Sequence, residues 1–141
     1  ALETQCFSSD RITPRQMRYL LTKARALTFV VDALSGIVAY CCCLTPAGGR
    51  PARLYSIAVA HRVRGQGTAS MLLEHLFAEL RRLGYGRLRL EVRAGDGATQ
   101  RLYRRFGFIE LHRIDGYYED GESALRMEAG LRATGAESAK S

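Results

Sequence analysis

Long hydrophobic runs are missing from this chain. A membrane-crossing helix needs roughly 18 or more consecutive apolar residues, and no such stretch occurs. No signal peptide is legible either. The cysteines offer no metal-ligand spacing of the C-x-x-C kind: Cys41, Cys42 and Cys43 are consecutive, and the fourth is Cys6. Neighbouring strand residues point to opposite faces, so the triplet cannot build a regular disulfide framework. They read as small apolar fillers in a reducing cytosol. His61, His75 and His112 lack partners at ligand spacing and read as structural, with His112 a minor candidate for a substrate contact. No metal is expected. Lysine is nearly absent: all but two of the 21 basic residues are Arg.

What is present fits one globular domain. The chain has 141 residues, 47% apolar and 25% charged. A domain of this size buries about 68–70% of the surface its unfolded chain exposes, enough for a core without staples. The formal net charge is +7, which favours anionic partners. Arginine suits bidentate phosphate contacts, though the same bias follows from a GC-rich genome. The basic residues lack the interleaved aromatics of a single-strand nucleic-acid binder, so no specific nucleic acid is expected, and no membrane. The chain starts at Ala1 rather than Met, so native residues are expected before it.

Along the chain, Thr13-Pro14-Arg15-Gln16 has the form of a capping box with Pro at the first helical position, which predicts a helix to about Lys23. Residues 27–32 and 37–44 read as a hairpin around Leu34-Ser35-Gly36. Residues 54–60 form a nearly all-apolar strand, which expects cover on both faces. A glycine turn follows, then a helix over 68–83 with its apolar stripe at Ala69, Leu72, Leu73, Leu76, Phe77, Leu80 and Leu83. Residues 87–93 alternate strictly as a strand. A short helix over 98–106 follows, then strands over 108–113 and 124–128 around the loop 115–122. Residues 132–141 are small and polar and read as a disordered tail after a domain over 1–131. This order predicts an α/β (α+β) fold: a mixed central sheet with helices on both faces.

The turn Arg64-Gly65-Gln66-Gly67 leads into a helix N-terminus, with its unpaired N–H groups and positive dipole end. Two glycines let the backbone close around an anion, and Arg62 and Arg64 add charge. The arrangement suits a phosphate or pyrophosphate; a plain strand–helix turn uses glycine in the same way. A P-loop is excluded because no Lys follows Gly67. A dinucleotide fingerprint is a poor match because Ser70 holds the third glycine position.

Arg62-Val63-Arg64-Gly65-Gln66-Gly67 resembles the R/Q-x-x-G-x-G/A signature of the GNAT superfamily of acyl-CoA N-acyltransferases. Ser56-Ile57-Ala58-Val59 before it, and Leu90-Glu91-Val92-Arg93, Leu102-Tyr103 and Phe106-Gly107-Phe108 after it, follow the family's order. Gly116-Tyr117-Tyr118-Glu119-Asp120-Gly121 with Ala124-Leu125-Arg126-Met127 resembles one branch, the ribosomal-protein alanine N-acetyltransferases and their archaeal N-terminal acetyltransferase relatives. The resemblance covers nearly the whole chain, with the family's first strand expected before Ala1.

The resemblance implies a cytoplasmic, acetyl-CoA-dependent N-acetyltransferase with a splayed parallel strand pair. The pantetheine arm would lie along Ile57, Ala58 and Val59. The pyrophosphate would rest on the amides from Val63 through Arg64, Gly65, Gln66, Gly67 and Thr68 to Ala69, beside Arg62. Glu91 aligns with the general base and Tyr103 with the general acid. The residues alone would equally allow Glu91 a salt bridge with Arg89, Arg93 or a helix arginine. Asp96 departs from the family's usual Asn and is read as a helix cap. Tyr117 and Tyr118 are candidates to line a peptide groove, and the acidic loop around them to attract a cationic peptide.

The acceptor is expected to be the N-terminal α-amine of a peptide or ribosomal protein. An α-amine titrates near 7.7–8.0, so roughly a tenth or more is neutral at neutral pH, far more than for lysine near 10.4. A small-molecule amine or amino acid, or a non-catalytic CoA-binding sensor, remain open alternatives. Oligomeric state is not legible.

Overall fold

The computed structural model describes residues 16–23, 25–33, 36–65 and 67–131. Among them, seven strands and two α-helices follow in the order β1 (Gln16–Lys23), β2 (Ala26–Ala33), β3 (Gly36–Leu44), β4 (Ala52–Val59), α1 (Thr68–Arg82), β5 (Arg87–Arg93), α2 (Gly97–Arg105), β6 (Ile109–Ile114) and β7 (Ala124–Gly130), with a single 3-10 turn at His61–Val63 between β4 and α1. The strands form a single mixed sheet in the order β1-β2-β3-β4-β5-β7-β6. β1 to β4 are a run of antiparallel neighbours, and β7 inserts antiparallel between β5 and β6. The one parallel pair, β4 with β5, marks the centre.

The helix expected over 13–23 is not what the chain forms. From Gln16 onward it is a strand, in register with β2 from Gln16 opposite Asp32 to Lys23 opposite Ala26. Thr13, Pro14 and Arg15 lie outside the described residues, as does the tail 132–141. Helix propensity amounts to tenths of a kcal/mol per residue and is readily overridden by tertiary context. The competing demand here is the row of backbone N–H and C=O groups on the free edge of β2, which β1 satisfies.

The main core cluster packs α1 and α2 on one face of the sheet, while Ala26 and Val30 of β2 are buried on the other. Leu88, Leu90 and Val92 of β5 are cross-strand partners of Ala129, Met127 and Leu125 of β7, and all six are buried. α1 buries Leu72, Leu73, Leu76, Phe77 and Leu80 in the same cluster; of the stripe its spacing predicts, Ala69 is only half-buried and Leu83, at the C-cap where the helix ends, is exposed. α2 joins the same core: Phe77 meets Phe106 at 5.7 Å and Phe108 at 5.9 Å, and Tyr103 meets Phe108 at 5.4 Å, all in tilted or edge-on ring geometry. Cys41 and Cys43 are buried in this cluster as fillers, and burial pushes the Cys41 thiol up to about 12. No helix among the described residues is long and apolar enough to cross a membrane.

Candidate functional site

The site begins where β4 and β5 part. They pair only at Ala52 with Leu88 and Arg53 with Arg89. Beyond that point β4 stays on β3 and β5 stays on β7. The divergence has a visible local cause. Cys43 faces Leu54 while its neighbour Cys42 faces Ser56, so Tyr55 is an extra residue in β4. A β-bulge of this kind bends the strand and shifts its pleat by one. Leu54 packs in the core before the bulge, and Ile57 and Val59 pack against the core after it. Tyr55 itself is left 66% exposed.

The parting strands open a cavity of about 790 Å³ between the N-terminus of α1 and the flank of α2. Ile57, Ala58 and Val59 line one side of it. Val63, Arg64, Gly65, Gly67, Thr68 and Ala69 line the end. Gly67 occupies the N-cap of α1 with φ 77°, and Gly65 has φ 84°, both in the left-handed region that favours glycine. No capping side chain and no first-turn acid competes for an anion there. The turn is narrower than the sequence suggests. The amides of Val63 and Arg64 donate to the carbonyls of Ala60 and His61, at 3.0 and 3.2 Å. The cradle of amides therefore starts at Gly65. Arg64 and Arg105 bring positive charge to its wall. Gln66 and the side chain of Arg62 lie outside the described residues.

Asp96 is the N-cap of α2, its Oδ1 accepting from the Thr99 amide at 3.1 Å, and it also lines this cavity. Gln100 ties the helix to β5: its buried amide donates to the carbonyls of Arg93 and Ala94, each at 2.9 Å. α2 thereby holds Tyr103 against the end of the strands. Tyr103 is 5% exposed and lines both the large cavity and a gap of about 180 Å³ between the splayed strands. Burial raises its phenol well above the ordinary value, and Asp96 adds to this, so it keeps its proton.

Glu91 lines the same gap, with Tyr118. The structure thus brings Glu91 and Tyr103 to one space. The Glu91 side chain is 6% exposed. Arg53 Nε and Nη2 donate to its Oε1 at 3.1 and 2.7 Å, and Arg126 Nε donates to its Oε2 at 2.7 Å. Burial alone would raise its carboxyl, but these two guanidiniums outweigh burial and hold it below the usual carboxylate range. Its ion partners are not Arg89, Arg93 or a helix arginine, the candidates suggested by the sequence. Arg126 is its cross-strand partner on β7, and Arg53 approaches from β4. Arg89 is instead held by its own cross-strand partner, Glu128, at 2.7 Å. Strand alternation gives the face opposite the core to these charges, and the β5–β7 register sets opposite signs across from each other.

Tyr117 accepts a hydrogen bond from Arg53 Nη2 at 3.0 Å and packs edge-on against Tyr118 at 4.9 Å. Arg93 lies over the Tyr118 ring at 4.1 Å and pairs with Asp120 at 2.9 Å and Glu122 at 2.7 Å. Asp115 pairs with Arg113 at 3.3 Å. Three of the four loop carboxylates therefore pair with two of this chain's own arginines, Arg93 and Arg113, which offsets about half of the loop's charge. Among the described residues no group of His, Cys, Asp and Glu could hold a metal ion. Sequence reasoning missed Arg53 and Arg126. Arg126 was readable only from the β5–β7 register, and nothing local marks Arg53.

The sequence profile of the "Acetyltransferase (GNAT) family" matches residues 2–108. The chain is 43% identical over 79 residues to the [Ribosomal protein bS18]-alanine N-acetyltransferase of Escherichia coli strain K12, covering 54% of this chain and 53% of that protein. It is 32% identical over 83 residues to an N-alpha-acetyltransferase of Saccharolobus solfataricus, covering 58% and 50%. The chain thus spans about half the length of the curated relatives it matches. The crystal structure of the ribosomal-protein-S18-alanine N-acetyltransferase from Escherichia coli superposes with a TM-score of 0.76 at 27% identity, over 84% of this chain and 95% of that one.

Proposed function

The chain belongs to the GNAT family of acetyltransferases, and from that premise we propose that it transfers an acetyl group from acetyl-CoA to the N-terminal α-amine of a peptide or protein. The observation that carries this reading is the meeting of Glu91 and Tyr103 in the gap between β4 and β5, at one end of a cavity whose other end is the glycine-capped start of α1. Acetyl-CoA supplies the activated thioester. The amides from Gly65 into the first turn of α1 suit its pyrophosphate, and the unpaired edge of β4 at Ile57, Ala58 and Val59 suits the amide-bearing pantetheine arm.

Each catalytic group has one proton to handle. An ammonium has no lone pair for attack, so a proton must leave the acceptor. Glu91 stays ionised and accepts it through a water. A low-pKa carboxylate is a weak base, which suits an acceptor already partly neutral near pH 7.7–8.0 better than a lysine. Tyr103, protonated and buried, is placed to give its proton to the departing thiolate. The names of the relatives support an α-amine acceptor. A ribosomal protein N-terminus is the first to test, and the reading places the enzyme in the cytoplasm, where ribosomes are.

Thiol release from acetyl-CoA, followed against short peptides with free and blocked N-termini and against free amines, tests the proposal. Turnover on free N-termini that disappears on blocking is expected. Turnover confined to small amines would move the function to small-molecule acetylation.

A further inference from the structure

On the face of the sheet away from α1 and α2, a cavity of about 760 Å³ opens beside the loop between β3 and β4. Five guanidiniums line it, from Arg25, Arg50, Arg53, Arg89 and Arg126, against one lining carboxylate, Glu91. Glu91 also lines the gap between β4 and β5, so the two spaces meet at the group placed to handle the acceptor's proton.

The charges inside are unbalanced. Arg53 and Arg126 share Glu91, and Arg89 is held by Glu128. Arg25 and Arg50 have no carboxylate partner among the described residues; the Arg50 Nε donates to the Ala47 carbonyl at 3.1 Å. Arginine is charged throughout the physiological range, and its planar fork matches a carboxylate with two parallel hydrogen bonds. The remaining wall is mostly apolar loop, so it offers an incoming anion no competing polar side chain, and the exposed Arg25 and Arg50 stand at its mouth.

We propose that this cavity binds a carboxylate carried by the acceptor, so that the enzyme selects peptides with Asp or Glu in the residues after the reacting N-terminus. The inference rests on the acetyl-transfer reading. With the amine beside Glu91, an extended peptide advances roughly 3.4 Å per residue, which puts its second and third side chains within the cavity's reach. A basic side chain there would meet five arginines against one lining carboxylate, and like-charge juxtaposition rejects wrong partners. The selection is opposite to that suggested by the acidic loop, about half of whose charge is offset by Arg93 and Arg113.

Binding and turnover test the two readings separately. Amidated peptides beginning Ala-Glu-Glu, Ala-Gln-Gln and Ala-Arg-Arg on one neutral tail are titrated calorimetrically into protein saturated with CoA, which has no acetyl group to give. The same peptides are assayed for thiol release with acetyl-CoA. The acidic peptide is expected to bind about tenfold or more tighter than its glutamine isostere, the scale of one charge-assisted hydrogen-bonded pair. In Arg25→Gln/Arg50→Gln, and at high salt, the advantage should shrink to about twofold. Each ratio is taken within one preparation, so impaired folding lowers both values and not the ratio.

Free alanine against alaninamide separates the two sources of carboxylate. A preference for alanine, with none among the peptides, keeps the carboxylate site and assigns it to a free amino acid. Equal or tighter binding of the glutamine or arginine peptide, with no preference for alanine and with transfer intact, overturns the site and leaves the transferase. Strong binding of inorganic phosphate with no preference for either carboxylate source overturns it too. Tight acidic binding with no transfer to any acceptor keeps the site and overturns the transferase.

Discussion

At the scale of the residue, Glu91 is a carboxylate whose protonation the structure has nearly removed from the functional pH range. Two arginines hold its pKa down against its burial. The pH dependence of transfer to a peptide should therefore report the acceptor: kcat/KM is expected to rise through about 7.7–8.0, with no limb from Glu91 above the ordinary carboxylate range. Glu91→Gln should lower kcat/KM by about 10²- to 10⁴-fold, the usual contribution of a positioned acid–base group. Acetyl-CoA binding, measured separately by calorimetry, should persist. An inflection near pH 6 that vanishes in the variant would assign Glu91 a titration that the arginine pair forbids. Glu91 and Tyr103, singled out in the sequence by the family signature around them, do line one gap in the structure. Their setting was not legible in the sequence. Arg53 is 38 positions from Glu91 and Arg126 is 35 positions from it, and only the strand order brings the three together.

At the scale of the element, the best-read parts are those with strong local punctuation. α1 and α2 lie within a residue of their expected bounds because glycine, Asp96 and apolar periodicity all agree. β5 has the expected ends because its alternation is strict. The failure is β1, where a capping-box pattern competes with an open sheet edge and loses. The bulge at Tyr55 was equally invisible, since nothing in Leu54-Tyr55-Ser56 announces an extra residue; it exists relative to β3. Asp96 shows how one side chain serves an element and a site with opposite signs. Its Oδ1 caps α2, and its charge faces the cavity read as the acetyl-CoA site. Asp96→Ala should cost about 0.5–2 kcal/mol of stability through the lost cap, seen as a lower thermal midpoint. The same change should not weaken acetyl-CoA binding, because it removes a negative charge from the path of a polyanion. Parallel losses of stability and cofactor affinity would show instead that Asp96 contacts the cofactor directly.

At the scale of the molecule, the net charge of +7 is not spread evenly. Arginines crowd the face opposite the core, and the fold tolerates them because carboxylates from facing strands are interleaved with them. This arrangement makes stability depend on acid in a defined direction. The carboxyls of Glu91, Glu79 and Asp120 all lie below their ordinary values, so the folded chain binds these protons less readily than the unfolded chain. Their contribution is complete above the unfolded carboxylate pKa and is lost as pH falls through the folded values. The thermal midpoint should thus be nearly level from about pH 6 to 8 and fall below about pH 4.5. Protonation also raises the positive self-repulsion of an already basic protein, which steepens the fall. Glu91→Gln separates the two effects. The variant leaves two guanidiniums facing a neutral amide, so it starts less stable at neutral pH. It has no proton to take up at that position, so it loses less on acidification. The two curves are expected to converge as pH falls. Curves that stay parallel would mean that the charge on Glu91 does not stabilise the fold, and that the arginine cluster is held together by something other than the carboxylate at its centre.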